Sequence, residues 1–205
     1  NRVSVVSFKQ SSVSGPKSRN PGVVSTGNFI LIYAKDKFSW KNRNTYRSTN
    51  RDSRYSSFIR NYELGYEKWD FVPLSQGIAD VTGVPFDEWE KKAGKFFEAR
   101  VEKFVLENRE RVSRLVSVAD KDVNAEARVA LQESRVSEKV VCSPREKLQD
   151  YYFYKGQQVA QYSSKSRVID GKMVTAERVS NIWDDLLSNN VHKEGQVRLP
   201  KGKKP

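Results

Sequence analysis

Apolar and polar positions along the chain change period several times, and each change marks an element. Val3 to Phe8 alternates and is rich in β-branched residues, the pattern of a strand. Residues 11–28 are polar, with Gly15-Pro16 and Asn20-Pro21-Gly22 as turn signals, and read as a loop. Phe29 to Ala34 is an unbroken apolar run, which predicts a strand buried on both faces. Residues 35–62 are polar and basic, with Phe38, Trp40, Tyr46, Tyr55, Phe58 and Tyr62 interleaved at no regular period, and read as an irregular arm. Pro73 and the Gly77 to Gly83 region punctuate a connection.

The strongest helical signal follows. Asp87 with Glu90 three residues on resembles a capping box, and Phe86, Trp89, Phe96, Phe97, Val101, Phe104, Val105, Val112 and Leu115 recur at three- and four-residue spacing. That spacing predicts one long helix over about 88–116. Asn124 caps a second over 125–134, and Ser143-Pro144-Arg145-Glu146 signals a short third. Tyr151 to Tyr162 folds about Lys155-Gly156, and Arg167 to Val174 about Asp170-Gly171, as two hairpins. The expected class is α+β: short strands at both ends around a mainly helical middle, with C-terminal hairpins. Three segments are expected, 1–36 strand-loop-strand, 37–165 the middle, and 166–205 a return segment.

Composition changes the picture chiefly through charge. Apolar residues make up 37% of the chain and aromatics are plentiful, enough for a core. No apolar run approaches the roughly 20 residues a bilayer crossing needs, and no signal peptide is visible. The single cysteine, Cys142, forms no internal disulfide, which suits a reducing compartment; its place after Val140-Val141 predicts a buried helix-entry residue. The net charge of +12 is unevenly placed. Residues 1–19 hold Arg2, Lys9, Lys17 and Arg19 without an acid, and residues 35–60 hold eight Lys/Arg against Asp36 and Asp52. Residues 193–205 hold five against Glu194. Clustered cations of this kind point to a polyanionic partner.

Self-contained chemistry is not visible. One histidine, His192, and one cysteine cannot make a zinc site. No glycine-rich phosphate loop occurs, because Lys201-Gly202-Lys203-Lys204 lacks the spacing. Asp80, Glu90 and Lys92 follow the order of a magnesium nuclease, but Glu90 and Lys92 fall in a predicted helix where that chemistry uses a strand. Asp184-Asp185 reads as a turn pair. The candidate site is therefore a nucleic-acid grip: Lys9, Lys41, Arg43, Arg47, Arg51 and Arg54 for phosphates, Asn44 and Asn50 beside arginines for base edges, and Trp40 and Tyr46 for stacking. Phe58 and Tyr62 are expected to pack in the interior instead.

Asn28-Phe29-Ile30-Leu31-Ile32-Tyr33-Ala34-Lys35-Asp36 is similar to the strand before the recognition region of amino-group DNA methyltransferases, in particular the Mod subunits of type III restriction–modification systems. Asn181-Ile182-Trp183-Asp184-Asp185-Leu186 resembles their Ile-Trp-x-Asp segment, and Gly195 to Pro205 the Gly-x-x-x-x-Pro-x-x-Lys-Lys-Pro stretch that follows. Val3 to Gln10 matches the strand that enters this region. The resemblance covers both ends, with residues 40–165 as the variable, target-reading part. It departs at Gly27-Asn28, where many relatives have His-Glu, and the chain holds neither an Asp-Pro-Pro-Tyr motif nor a Phe-x-Gly-x-Gly loop.

The resemblance implies the target-recognition part of an S-adenosylmethionine-dependent enzyme, with adenine as the expected target base. This chain would be inactive alone and hold no cofactor, with Lys204 at the edge of the parent's cofactor pocket. The start at Asn1 in a strand-like run and the stop at Pro205 fit an internal piece of such an enzyme. The implied partners are double-stranded DNA and a restriction subunit or second copy, without a membrane, in bacterial or archaeal cytoplasm. The rival readings are a free-standing nucleic-acid-binding module and a helical domain that docks a protein partner.

Overall fold

The computed structural model describes residues 2–9, 27–41 and 44–183. The chain is α+β and divides into two compact units, Tyr46–Glu177 and a second made from the residues on either side of it.

In the flanking unit, β1 (Arg2–Lys9) pairs antiparallel with β2 (Gly27–Tyr33), Val5 opposite Leu31 and Val6 opposite Ile30. On its other side β1 pairs in parallel with β12 (Ile182–Trp183), Ser7 opposite Ile182. Asn181 reinforces this pairing, accepting from the Ser7 amide at 2.8 Å. The expectation that β2 is buried on both faces is corrected: Phe29, Leu31 and Tyr33 are 69%, 55% and 62% exposed. Its apolar run fits a two-sided interior, but every residue of β2 is exposed, so among the described residues neither face of this edge strand is covered by another layer.

The unit Tyr46–Glu177 is built on a six-stranded antiparallel sheet, not on helices. Its order is β5-β4-β6-β9-β8-β7, from β4 (Ser57–Arg60), β5 (Asp70–Pro73), β6 (Val112–Ser117), β7 (Val141–Ser143), β8 (Tyr151–Tyr154) and β9 (Gln157–Gln161). Strands four places apart in a flat sheet lie ~19 Å from one another. Yet Phe71 of β5 stacks on Tyr154 of β8 at 4.9 Å, and Trp69 meets Tyr152 at 4.7 Å. The sheet is therefore rolled, with Ile59, Ser113 and Val159 buried on its concave face.

Helices cover the convex face. α1 (Leu74–Thr82), α2 (Phe86–Ala93) and α3 (Phe97–Glu107) close a core of Tyr55, Phe58, Leu74, Ile78, Trp89, Val101, Phe104, Val105, Val112 and Tyr162. α4 (Ala125–Glu133) packs Ala127, Ala130 and Leu131 on Phe153 in a second cluster. As expected, Asn124 caps it, its side chain accepting from the Ala127 amide at 2.8 Å. A smaller sheet joins β10 (Ser166–Ile169), β11 (Lys172–Arg178) and β3 (Tyr46–Ser48). Tyr162 donates to Thr175 at 2.8 Å and Thr175 to Glu102 at 3.0 Å, a polar chain tying β11 to α3.

Several local expectations are corrected by this architecture. The long helix over 88–116 is interrupted at Gly94, whose φ of 51° takes the backbone out of the helical region. It ends at Asn108, whose carbonyl accepts from the Arg111 and Val112 amides, and residues 112–117 become β6. The short helix at 143 does not form, because Ser143 pairs with Tyr151. The Arg145 amide is instead held by the Asp150 carboxylate at 2.8 Å. Cys142 is accordingly half-buried in β7 opposite Tyr152, not a helix-entry residue. The connection read at Pro73 to Gly83 is β5 and α1. Both hairpins form as expected, with Lys155, Gly156, Asp170 and Gly171 all at positive φ. Among the described residues no helix is long and apolar enough to cross a membrane.

Candidate nucleic-acid interface

The basic arm expected over 35–62 divides between the two units, and each half has its own geometry. In Tyr46–Glu177 the arm is not irregular: it supplies β3, a turn, and the inner strand β4. Tyr55 and Phe58 enter the core at 2% and 0% exposure, and Tyr62 stacks on Trp69 at 5.3 Å.

The arginines of this half are engaged by carboxylates. Arg47 on β3 pairs with Glu177 at 2.8 Å, and Arg51 reaches Glu98 at 3.3 Å. Arg54 grips Asp52 through Nε at 2.9 Å and Nη2 at 2.8 Å. Tyr46 is half-buried with the Arg167 guanidinium 4.9 Å above its ring, which removes one face from stacking. Asn50 is exposed in the turn. The structure thus brings Tyr46, Arg47, Asn50, Arg51 and Arg54 into one segment, but three of its cations reach any phosphate only in competition with an acid.

The Arg54 hydrogen bonds hold the Asp52 carboxyl at about 2. A carboxyl whose folded value lies below its unfolded value of about 3.9 lends stability above that pH and loses it as pH falls through the folded value. Acid destabilisation between about pH 4 and pH 2 should therefore be shallower in Asp52→Asn, read as Tm against pH. An unchanged acid limb would show that this pair adds nothing to the fold.

In the flanking unit Lys9 ends β1, and Lys41 and Asn44 are exposed. Trp40 is 42% exposed. Arg43 and Lys204 lie outside the described residues, as does the pair Asp184-Asp185. Between β2 and Lys41 the chain makes a turn that the site reading passed over. The Asp36 carboxylate accepts from the Phe38 amide at 3.0 Å and the Ser39 amide at 3.2 Å, and also from the Ser39 hydroxyl. These bonds, the Ser39 hydroxyl first, lower the Asp36 pKa. Phe38 at its tip is 99% exposed. The signal in the sequence was Asp36 with Ser39 three residues on, an Asp side chain that satisfies the amides two and three residues further along.

The other chemistry weighed from the sequence is not assembled. Asp80 is taken by Arg60 at 2.6 Å and Gln76 at 3.0 Å, while Glu90 and Lys92 are on α2. Among the described residues no three His, Cys, Asp or Glu side chains converge as a metal site would need. No family model matches the chain, and no curated protein or solved structure does either.

Proposed function

We propose that this chain is the DNA-holding, target-recognition part of an S-adenosylmethionine-dependent amino-group DNA methyltransferase of a restriction–modification system. The observation that carries the proposal is the parallel pairing of β1 with β12. Parallel neighbours need a crossover, and here the crossover contains a compact unit of its own, Tyr46–Glu177. A unit inserted between two strands of one sheet is the arrangement the resemblance implies for a recognition region. The apolar run of β2 supports the same reading, since Phe29, Leu31 and Tyr33 await a covering layer.

Methylating a base amine requires extruding the base from the duplex, at a cost of a few kcal/mol. The recognition part offsets that cost with phosphate contacts and base readout. The adenine amine is the expected target, in bacterial or archaeal cytoplasm, with cofactor and catalytic motif carried by sequence outside this chain. The exposed face of β2 also favours a second reading, in which a protein partner docks there.

Duplex binding tests the first reading. Contacts from Lys9, Lys35, Lys37 and Lys41 should give log K against log salt a slope of roughly −3.6, at about −0.9 per phosphate. Replacing those four lysines with alanine should weaken binding more than Arg47→Ala, Arg51→Ala and Arg54→Ala together, since the arginines must first leave carboxylates. Salt-independent binding, or none, would remove the DNA reading. An Asp-Pro-Pro-Tyr motif encoded upstream and a glycine-rich loop downstream are expected, and their absence from the gene would leave a binding module without methyltransferase parentage.

A further inference from the structure

Phe38 has no role in the fold. At 99% exposure it buries nothing, and the turn that carries it is held by Asp36 and Ser39, neither of which needs an aromatic neighbour. A single exposed apolar side chain is ordinary on a protein surface. This one differs in its setting. Trp40 stands two residues on, also exposed, and Lys35, Lys37 and Lys41 flank the two aromatics in sequence. The one acid of the segment, Asp36, spends its carboxylate inside the turn. The segment therefore presents a ring on a held backbone within a positively charged stretch.

Three lysines select a polyanion, and an unencumbered ring among them selects one with flat apolar faces. Nucleic acid combines the two, and apolar side chains are known to enter base stacks between phosphate contacts. We infer that Phe38 is a stacking residue that enters the base stack of bound DNA and occupies the gap left by an extruded base. This rests on the DNA-binding reading above and adds to it the residue that holds the duplex open. A lysine-flanked phenylalanine would also suit an anionic membrane surface, which the experiment separates.

The test uses the whole chain with three probes: an intact duplex, the same duplex with one abasic gap, and phosphatidylserine vesicles. Phe38→Ala should lose about tenfold in affinity for the gapped duplex, the low end of base stacking by a side chain. The intact duplex, held through phosphates, should be bound within about twofold of wild type. Phe38→Trp should restore gap binding, while Lys37→Ala should weaken both duplexes alike and reduce the salt slope by about 1. Because Phe38 is solvated, all three variants should keep the wild-type Tm. If wild type binds DNA and Phe38→Ala binds the gapped duplex equally well, the stacking role is overturned while the DNA reading stands. If wild type binds neither duplex, both fall; vesicle binding lost in Phe38→Ala would then assign the turn to a membrane surface.

Discussion

Gly77→Ala is expected to destabilise the unit Tyr46–Glu177 by about 3 kcal/mol, the upper range for overpacking a core. Gly77 lies in α1 with its backbone against the Phe58 ring of β4. An added Cβ would stand 2.6 Å from Phe58 Cδ1 and overlap the neighbouring Cγ. The ring has little room to yield, since the Arg111 guanidinium lies 4.5 Å above it and Phe104 6.0 Å away. Phe58→Ala alone should cost about 3–5 kcal/mol by opening a cavity. The informative measurement is the double variant. With the ring gone, the overlaps with Cγ and Cδ1 disappear and alanine's helix advantage of roughly 1 kcal/mol over glycine applies. The Cβ of residue 58 would still stand 2.5 Å from the added Cβ. Adding Gly77→Ala to Phe58→Ala should therefore cost less in urea denaturation than Gly77→Ala costs on its own. Costs that add to within about 0.5 kcal/mol would mean that α1 does not sit on Phe58.

Phe153→Ala is expected to cost about 3–5 kcal/mol for the same cavity reason, in a different place. Phe153 is wholly buried on β8 in the cluster with Ala127, Ala130 and Leu131 of α4, with the partly buried Tyr151 ring 5.9 Å from it. Two of those helix residues are alanines, whose side chains cannot reach into the space. The control lies on the same helix: Val129 is 65% exposed, and Val129→Ala should change stability by no more than about 0.5 kcal/mol. Equal effects from the two substitutions would remove α4 from the convex face of the sheet.

Elements with local causes were legible in the sequence. The Asn124 cap, the Lys155-Gly156 and Asp170-Gly171 turns, and the β1 and β2 strands are set by residues within a few positions of one another. Phe58 was rightly assigned to packing. The errors share one origin, a pattern that two structures satisfy. Val112 and Leu115 continue a three-and-four spacing begun at Trp89, yet they also fit a strand, and only the ladders with β4 and β9 decide between these. Ser143-Pro144 reads as a helix start, but the ladder to Tyr151 outweighs the cap. The same holds at the site. A run of arginines marks a polyanion surface by composition, and Glu177, Glu98 and Asp52 alter it by contact.

The sequence by itself determined that this is an α+β chain with clustered positive charge, and where most of its turns and caps fall, because those depend on neighbours along the chain. Tertiary structure alone decided three things: that a rolled six-stranded sheet replaces the helical middle, that the arm's arginines face carboxylates, and that β1 lies parallel to β12. Apart from the Arg54–Asp52 pair, two residues apart, each depends on hydrogen bonds or ion pairs between residues far apart in sequence. Such pairings leave no period in the chain, since either partner alone is compatible with many others.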